Sequence, residues 1–165
     1  MKKLLLSIVL LMAGLTVSAQ TPEELQASLE RIAKLEKLQQ PNSCGLQSVD
    51  RLTDETGKSA LEAMAISAVV HKLHKRVEDK DIDAQLAAEL SDLYTRIESQ
   101  SKSVETISNL VPEASKEVSQ IKNPLKMKEP AKSLNYSKDA LKIVSEETLF
   151  QGKAVAAMIQ AVSAN

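Results

Sequence analysis

The chain is expected to be all-α: an elongated antiparallel helical bundle of about four main helices, with a short extra helix near 112–122. Three observations predict it. Aliphatic residues return every three or four positions over most of the length. No segment alternates apolar and polar residues long enough to read as a strand, and β-branched residues are scattered. The five prolines (Pro22, Pro41, Pro112, Pro124 and Pro130) fall between periodic segments or at their starts.

The first helix opens at TPEE, where Thr21 is a natural N-cap, Pro22 suits the first turn and Glu24 completes a capping box. Its expected stripe is Leu25, Leu29, Ile32, Leu35 and Leu38, and Pro41 ends it. The second runs from about Leu46 to Asp79. There Val49, Thr53, Thr56, Ala60, Ala63, Ser67, Val70, His74 and Val77 keep a 4-3 spacing, the seam of a helix with near-parallel neighbours. That spacing stays in phase across Gly57, which favours one long helix over two.

A third helix is expected from about Ile82 to Leu110, capped by Asp81 or Asp83. Its stripe is Ile82, Leu86, Leu90, Leu93, Ile97, Ser101, Val104, Ser108 and Val111. Pro112 disfavours helical geometry at Val111, so a corner and a short helix should follow. NPLKMKEP (123–130) reads as a loop. The last helix should start near Pro130, with Leu134, Ser137, Leu141, Val144, Thr148, Gln151, Val155, Met158 and Val162 in phase.

The chain opens with MKKLLLSIVLLMAGLTVSAQ. Lys2 and Lys3, an apolar run from Leu4 to Leu15, and the small-residue site Val17-Ser18-Ala19 have the form of a bacterial secretory leader. Cleavage is expected between Ala19 and Gln20, giving a 1–19 signal peptide and a single domain over 20–165. The address is then the periplasm or the exterior. Cys44 stands too far downstream of the apolar run to be lipidated.

Loss of Lys2 and Lys3 would leave 19 basic residues against the 22 acidic ones, a mild negative balance. Nucleic-acid binding calls for a concentrated basic surface or aromatic stacking platforms. The chain has no Trp, one Phe and two Tyr, so nucleic acid is not expected as a partner. Charge is nevertheless uneven. Glu78 to Glu98 carries seven acids, and Lys116 to Lys142 carries seven lysines.

Few residues bear chemistry. Glycine scarcity excludes G-x-G-x-x-G and the P-loop, and no G-x-S-x-G is present. Acids such as Glu146 and Glu147 read as solvated faces or caps. His71 and His74 lie one helical turn apart with Glu78 a turn further on, spacing that zinc would accept. Flanking Lys72, Lys75 and Arg76 discourage a cation, and the plainer reading is a helix end meeting solvent. Cys44, the single cysteine, cannot close an internal disulfide; a bridge between two copies is its other role.

No catalytic or cofactor site is expected. The leading expectation is an exported, non-catalytic bundle acting through contact with a protein or an envelope component. A rival is a membrane-active helical protein, releasing 60–70 or 154–162, which are apolar nearly all round. Eleven residues make about 16 Å of helix against roughly 30 Å of hydrocarbon, enough only to lie in the interface. A zinc-binding bundle through His71 and His74 is the minor alternative.

Overall fold

The computed structural model describes residues 21–164; the leader, with Ala19 and Gln20, lies outside them. The described elements are helices: α1 Pro22–Lys37, α2 Gln47–Glu78, α3 Ala84–Ser108, α4 Val111–Ser119 and α5 Pro124–Ser163. The expected all-α bundle is thus present. Its 40-residue α5 is about 60 Å long and packs against each of the other four helices.

Hydrogen bonds give the orientations. Gln100 on α3 reaches Ser59 on α2, and Arg96 reaches Glu62, so these helices run antiparallel. Thr53 meets Ser137, whereas Gln151 meets Ala63, so α2 and α5 run parallel. α1 descends along both, with Ser28 beside Glu147 and Leu35 packed among Ala140 and Val144.

Three buried clusters fill the interior. The upper one joins the C-terminal halves of α2 and α5 to the N-terminal half of α3. The lower one joins the start of α2, the end of α3, α4 and the start of α5. Between them lies a cluster of Ala60, Ala63, Ala140, Val144 and Leu35. Its small side chains let the parallel helices approach closely, and α1 covers the gap.

Local chemistry explains the ends. Thr21 and Glu24 make the predicted capping box, and Asp83 rather than Asp81 caps α3 through Leu86 N–H at 2.7 Å. The N-cap of α2, Leu46, has no capping side chain. One of its orphan donors is met from α4 instead: Glu117 accepts from Ser48 N–H at 3.1 Å and also from the Ser48 hydroxyl. Asp50 then gathers the preceding turn, accepting from Ser43 Oγ at 2.6 Å, Cys44 N at 2.8 Å and Gly45 N at 3.0 Å. That turn needs a φ of +80° at Gly45.

α2 is continuous across Gly57. A Cβ there would stand 2.2 Å from the Gln40 amide oxygen, so the glycine leaves room for that side chain, whose amide donates to Asp54 at 3.1 Å. At the far end, Lys80 N–H bonds the Val77 carbonyl and Asp81 N–H bonds the Arg76 carbonyl. This is a Schellman closure with Lys80, at φ 56°, in the left-handed position.

Two expectations need correction. The segment 123–130 is not a loop: α5 begins at Pro124 and carries Pro130 inside it. Asn123 Oδ1 accepts from Leu125 N–H at 3.0 Å, and Pro124 takes the first helical position, where a missing N–H costs nothing. Pro130 deprives only the carbonyl of Lys126, an exposed residue, so water can serve it. The stripes of α1 and α3 also shift. Ser28 is fully buried whereas Leu29 is 51 % exposed; likewise Gln100 and Ile107 are buried while Ser101 and Ser108 are exposed. Ser28 and Gln100 turn inward because each finds a hydrogen-bond partner inside, Glu147 for the one and Ser59 for the other, and Ile107 then follows Gln100 one heptad on.

The left-handed Lys80 yields a prediction. Lys80→Gly relieves the Cβ–carbonyl crowding and should raise stability by up to about 1 kcal/mol. Urea-denaturation midpoints followed by circular dichroism check this; a lower midpoint contradicts it.

Candidate functional site

The one fully buried carboxylate among the described residues is Glu147, 0 % exposed. Three helices converge on it. From α1, Ser28 Oγ donates to Glu147 Oε1 at 2.7 Å and Arg31 Nε donates to Oε2 at 2.7 Å. From α2, the Ser67 hydroxyl donates to Oε1. One turn along α5, the Gln151 amide donates at 2.8 Å to both Ser67 Oγ and the Ala63 carbonyl.

Arg31 completes its surroundings by lying over the Phe150 ring, 5.5 Å from its centre. A buried carboxylate is costly unless paired and hydrogen-bonded. Here a guanidinium and two hydroxyls meet that need. The carbonyl oxygen of Gln151 is buried with no hydrogen-bond partner.

His71 closes the cluster on its outer side, with Nε2 3.2 Å from Ser28 Oγ. Ser28 gives its proton to Glu147, so Nε2 must carry the hydrogen towards Ser28. Burial pushes the His71 pKa below the ordinary imidazole value; the nearby Glu147 opposes this and His74 adds to it.

Ser, His and Glu in contact are ingredients of nucleophilic catalysis, but their order differs from a triad. There the carboxylate orients the imidazole while the hydroxyl faces the substrate. Here the carboxylate holds the hydroxyl, and Ser28 is fully buried. What the arrangement does chemically is clasp three helices in one register.

The sequence-predicted residues go elsewhere. His71 turns to Ser28, while His74 Nδ1 pairs with Glu78 at 3.5 Å. Among the described residues, no group of three or more His, Cys, Asp or Glu side chains is placed to hold one metal ion. Cys44 is half-buried against the lower cluster. Burial raises its thiol pKa, and Asp50 adds to that effect against a hydrogen bond from the Leu46 backbone. This is the opposite of an activated thiol.

The stretches 60–70 and 154–162 turn Ala63, Ile66, Val70, Ala154, Val155 and Met158 inward. No helix among the described residues is long and apolar enough to cross a membrane.

In the sequence Glu147 reads as a solvated acid; the structure buries it, and the sequence carries a signal of this. Ser133, Ala140, Glu147 and Ala154 repeat every seventh residue on α5 and are all buried. They form a second stripe of mostly small residues beside the aliphatic seam.

The surface is charged unevenly along the axis. At the upper end, Arg76 pairs with Asp81, Asp83 and Glu89, at 2.8, 3.2 and 3.4 Å. At the lower end, the seven lysines from Lys116 to Lys142 are all exposed. None of their ammonium groups has an ion-pair partner among the described residues. Between α2 and α3 runs an open groove of about 370 Å³, crossed by the Arg96–Glu62 pair at 2.8 Å.

No known protein family matches this chain, and no curated protein or solved structure is similar to it.

Two predictions follow from the cluster's asymmetry. Arg31→Ala leaves a carboxylate buried without a counter-charge and should cost about 3 kcal/mol. Glu147→Gln keeps one oxygen for both serines but turns an NH2 toward the Arg31 N–H; since Arg31 is partly exposed and can turn to water, it should cost less, about 1–2 kcal/mol. Urea titration of the two variants decides; an equal or reversed order contradicts it. The second concerns pH. The folded state holds the His71 pKa below the unfolded value near 6.5. Its contribution is therefore intact above pH 6.5 and declines on acidification, until the folded protein also takes up the proton. The stability difference between the natural chain and His71→Gln should shift across that window and stay level above pH 7.

Proposed function

We propose that this chain is an exported, non-catalytic bundle protein that works by contact with another protein or an envelope component. The observation that carries this reading is the use made of its buried reactive groups. Ser28, Arg31, Ser67, His71 and Glu147 satisfy one another across α1, α2 and α5, and the hydroxyl that touches both a base and an acid has no exposure. Such a cluster maintains a shape. Surfaces are then what the protein has to offer, and they are long, charged and unlike from end to end.

Export is supported by the leader form of residues 1–19. A periplasmic or extracellular address suits a lone cysteine that takes no part in the bundle's closure. The membrane-active alternative would need 60–70 or 154–162 to leave the interior, exposing Ile66, Val70, Val155 and Met158, each at most 3 % exposed. That cost weighs against it.

The experiment has three arms. Terminal sequencing of the exported protein should begin at Gln20. Crosslinking in envelope extracts should capture a partner that saturates and is competed by excess untagged chain. Turnover of any substrate by the purified protein, or absence of a competable partner, rejects the reading.

A further inference from the structure

We infer that the lower tip of the bundle, the first turns of α5, docks on an anionic phospholipid surface. The inference rests on the contact reading above and names the envelope component.

Leu125 is 90 % exposed, the most solvent-accessible of the large apolar side chains described. It does not belong to the fold: its neighbour Met127 turns inward onto the lower cluster, while Leu125 points away. Lys128 and Lys132 follow at i+3 and i+7, sharing the leucine's face of the helix. Lys122 and Lys126 flank it, all four lysines are exposed, and Glu129 is the single acid among them.

The contrast with the opposite end is informative. There, carboxylates are gathered by Arg76. At the tip no ammonium is engaged by any described residue. A row of free ammoniums beside a bare leucine has a leaflet as its chemical complement. Phosphate groups take the charges, the acyl boundary takes the leucine, and lysine stems are long enough to span the two levels.

An acidic polysaccharide would satisfy the lysines and leave Leu125 in water. A protein partner would need a broad interface with an apolar centre, whereas the large apolar side chain laid bare at the tip is Leu125 alone among the described residues. Leu125 is therefore the residue that distinguishes a leaflet from these other partners.

The test is sedimentation of the full exported chain with phosphatidylcholine vesicles, either neutral or carrying about one-third phosphatidylglycerol, at low and high salt. Binding is expected only to the anionic vesicles at low salt. Lys128→Gln with Lys132→Gln should lower partitioning roughly 25-fold, from about fivefold for each ammonium near an anionic leaflet. Leu125→Asn should lower it by roughly fivefold or more. Lys34→Gln with Lys37→Gln, exposed positions on α1, remove the same charge elsewhere and should change it little. All five substituted sites are exposed, and unchanged circular dichroism would show that the bundle is intact.

The inference is overturned by absence of binding to anionic vesicles, by equal binding to neutral ones, or by equal loss in the α1 variant. It is also overturned if Leu125→Asn binds like the natural chain, which points to an anionic polymer instead. None of these outcomes touches the contact reading, which is decided by the competable partner and by turnover.

Discussion

The bundle depends on how one buried carboxylate is satisfied. Glu147 has no exposure, and its two oxygens are met by Arg31 and Ser28 from α1 and Ser67 from α2. Aliphatic seams set helices side by side but tolerate sliding, since one leucine or valine serves nearly as well as the next. A buried charge does not tolerate it: a shift by one turn would leave Glu147 without donors and Arg31 without its partner. The cluster therefore decides the height at which α1 sits on α2 and α5. It is also why Leu29 faces water while Ser28 faces the interior.

The same logic recurs at lower stakes. Gln100 enters the α2–α3 interface because the Ser59 carbonyl and hydroxyl accept from its amide at 2.8 and 3.0 Å. Gln151 does likewise on α5. With so few aromatic side chains, the bundle obtains little uniqueness from ring packing. Polar matches between helices supply it, at a modest net gain in stability but with a firm penalty for misalignment.

A rod held this way separates its ends. Topology carries the acid-rich α2–α3 turn to one end and the lysine-rich α4–α5 region to the other, some tens of ångströms apart along helices of this length. At the first end three carboxylates are paired with Arg76; at the other the lysines have no ion-pair partner among the described residues. The interior is devoted to register, and the lysines of the lower surface are left without ion-pair partners among the described residues.

What the residues alone determined was the class, the element order, and nearly all of the seams of α2 and α5, because amphipathic periodicity is a local property that burial merely ratifies. The capping box at Thr21 and the continuity of α2 through Gly57 were legible for the same reason. The proline-flanked segment 123–130 was not, since whether a proline ends a helix depends on where its lost hydrogen bond falls, and Lys126 happens to face water. Nor was Glu147. An acid beside a seam reads as solvated unless one knows that Ser28, Arg31 and Ser67, up to 119 residues away in sequence, arrive to receive it. Such partners meet only when the helices have packed, so the site is a product of the tertiary structure, whereas the helices that build it are a product of the sequence.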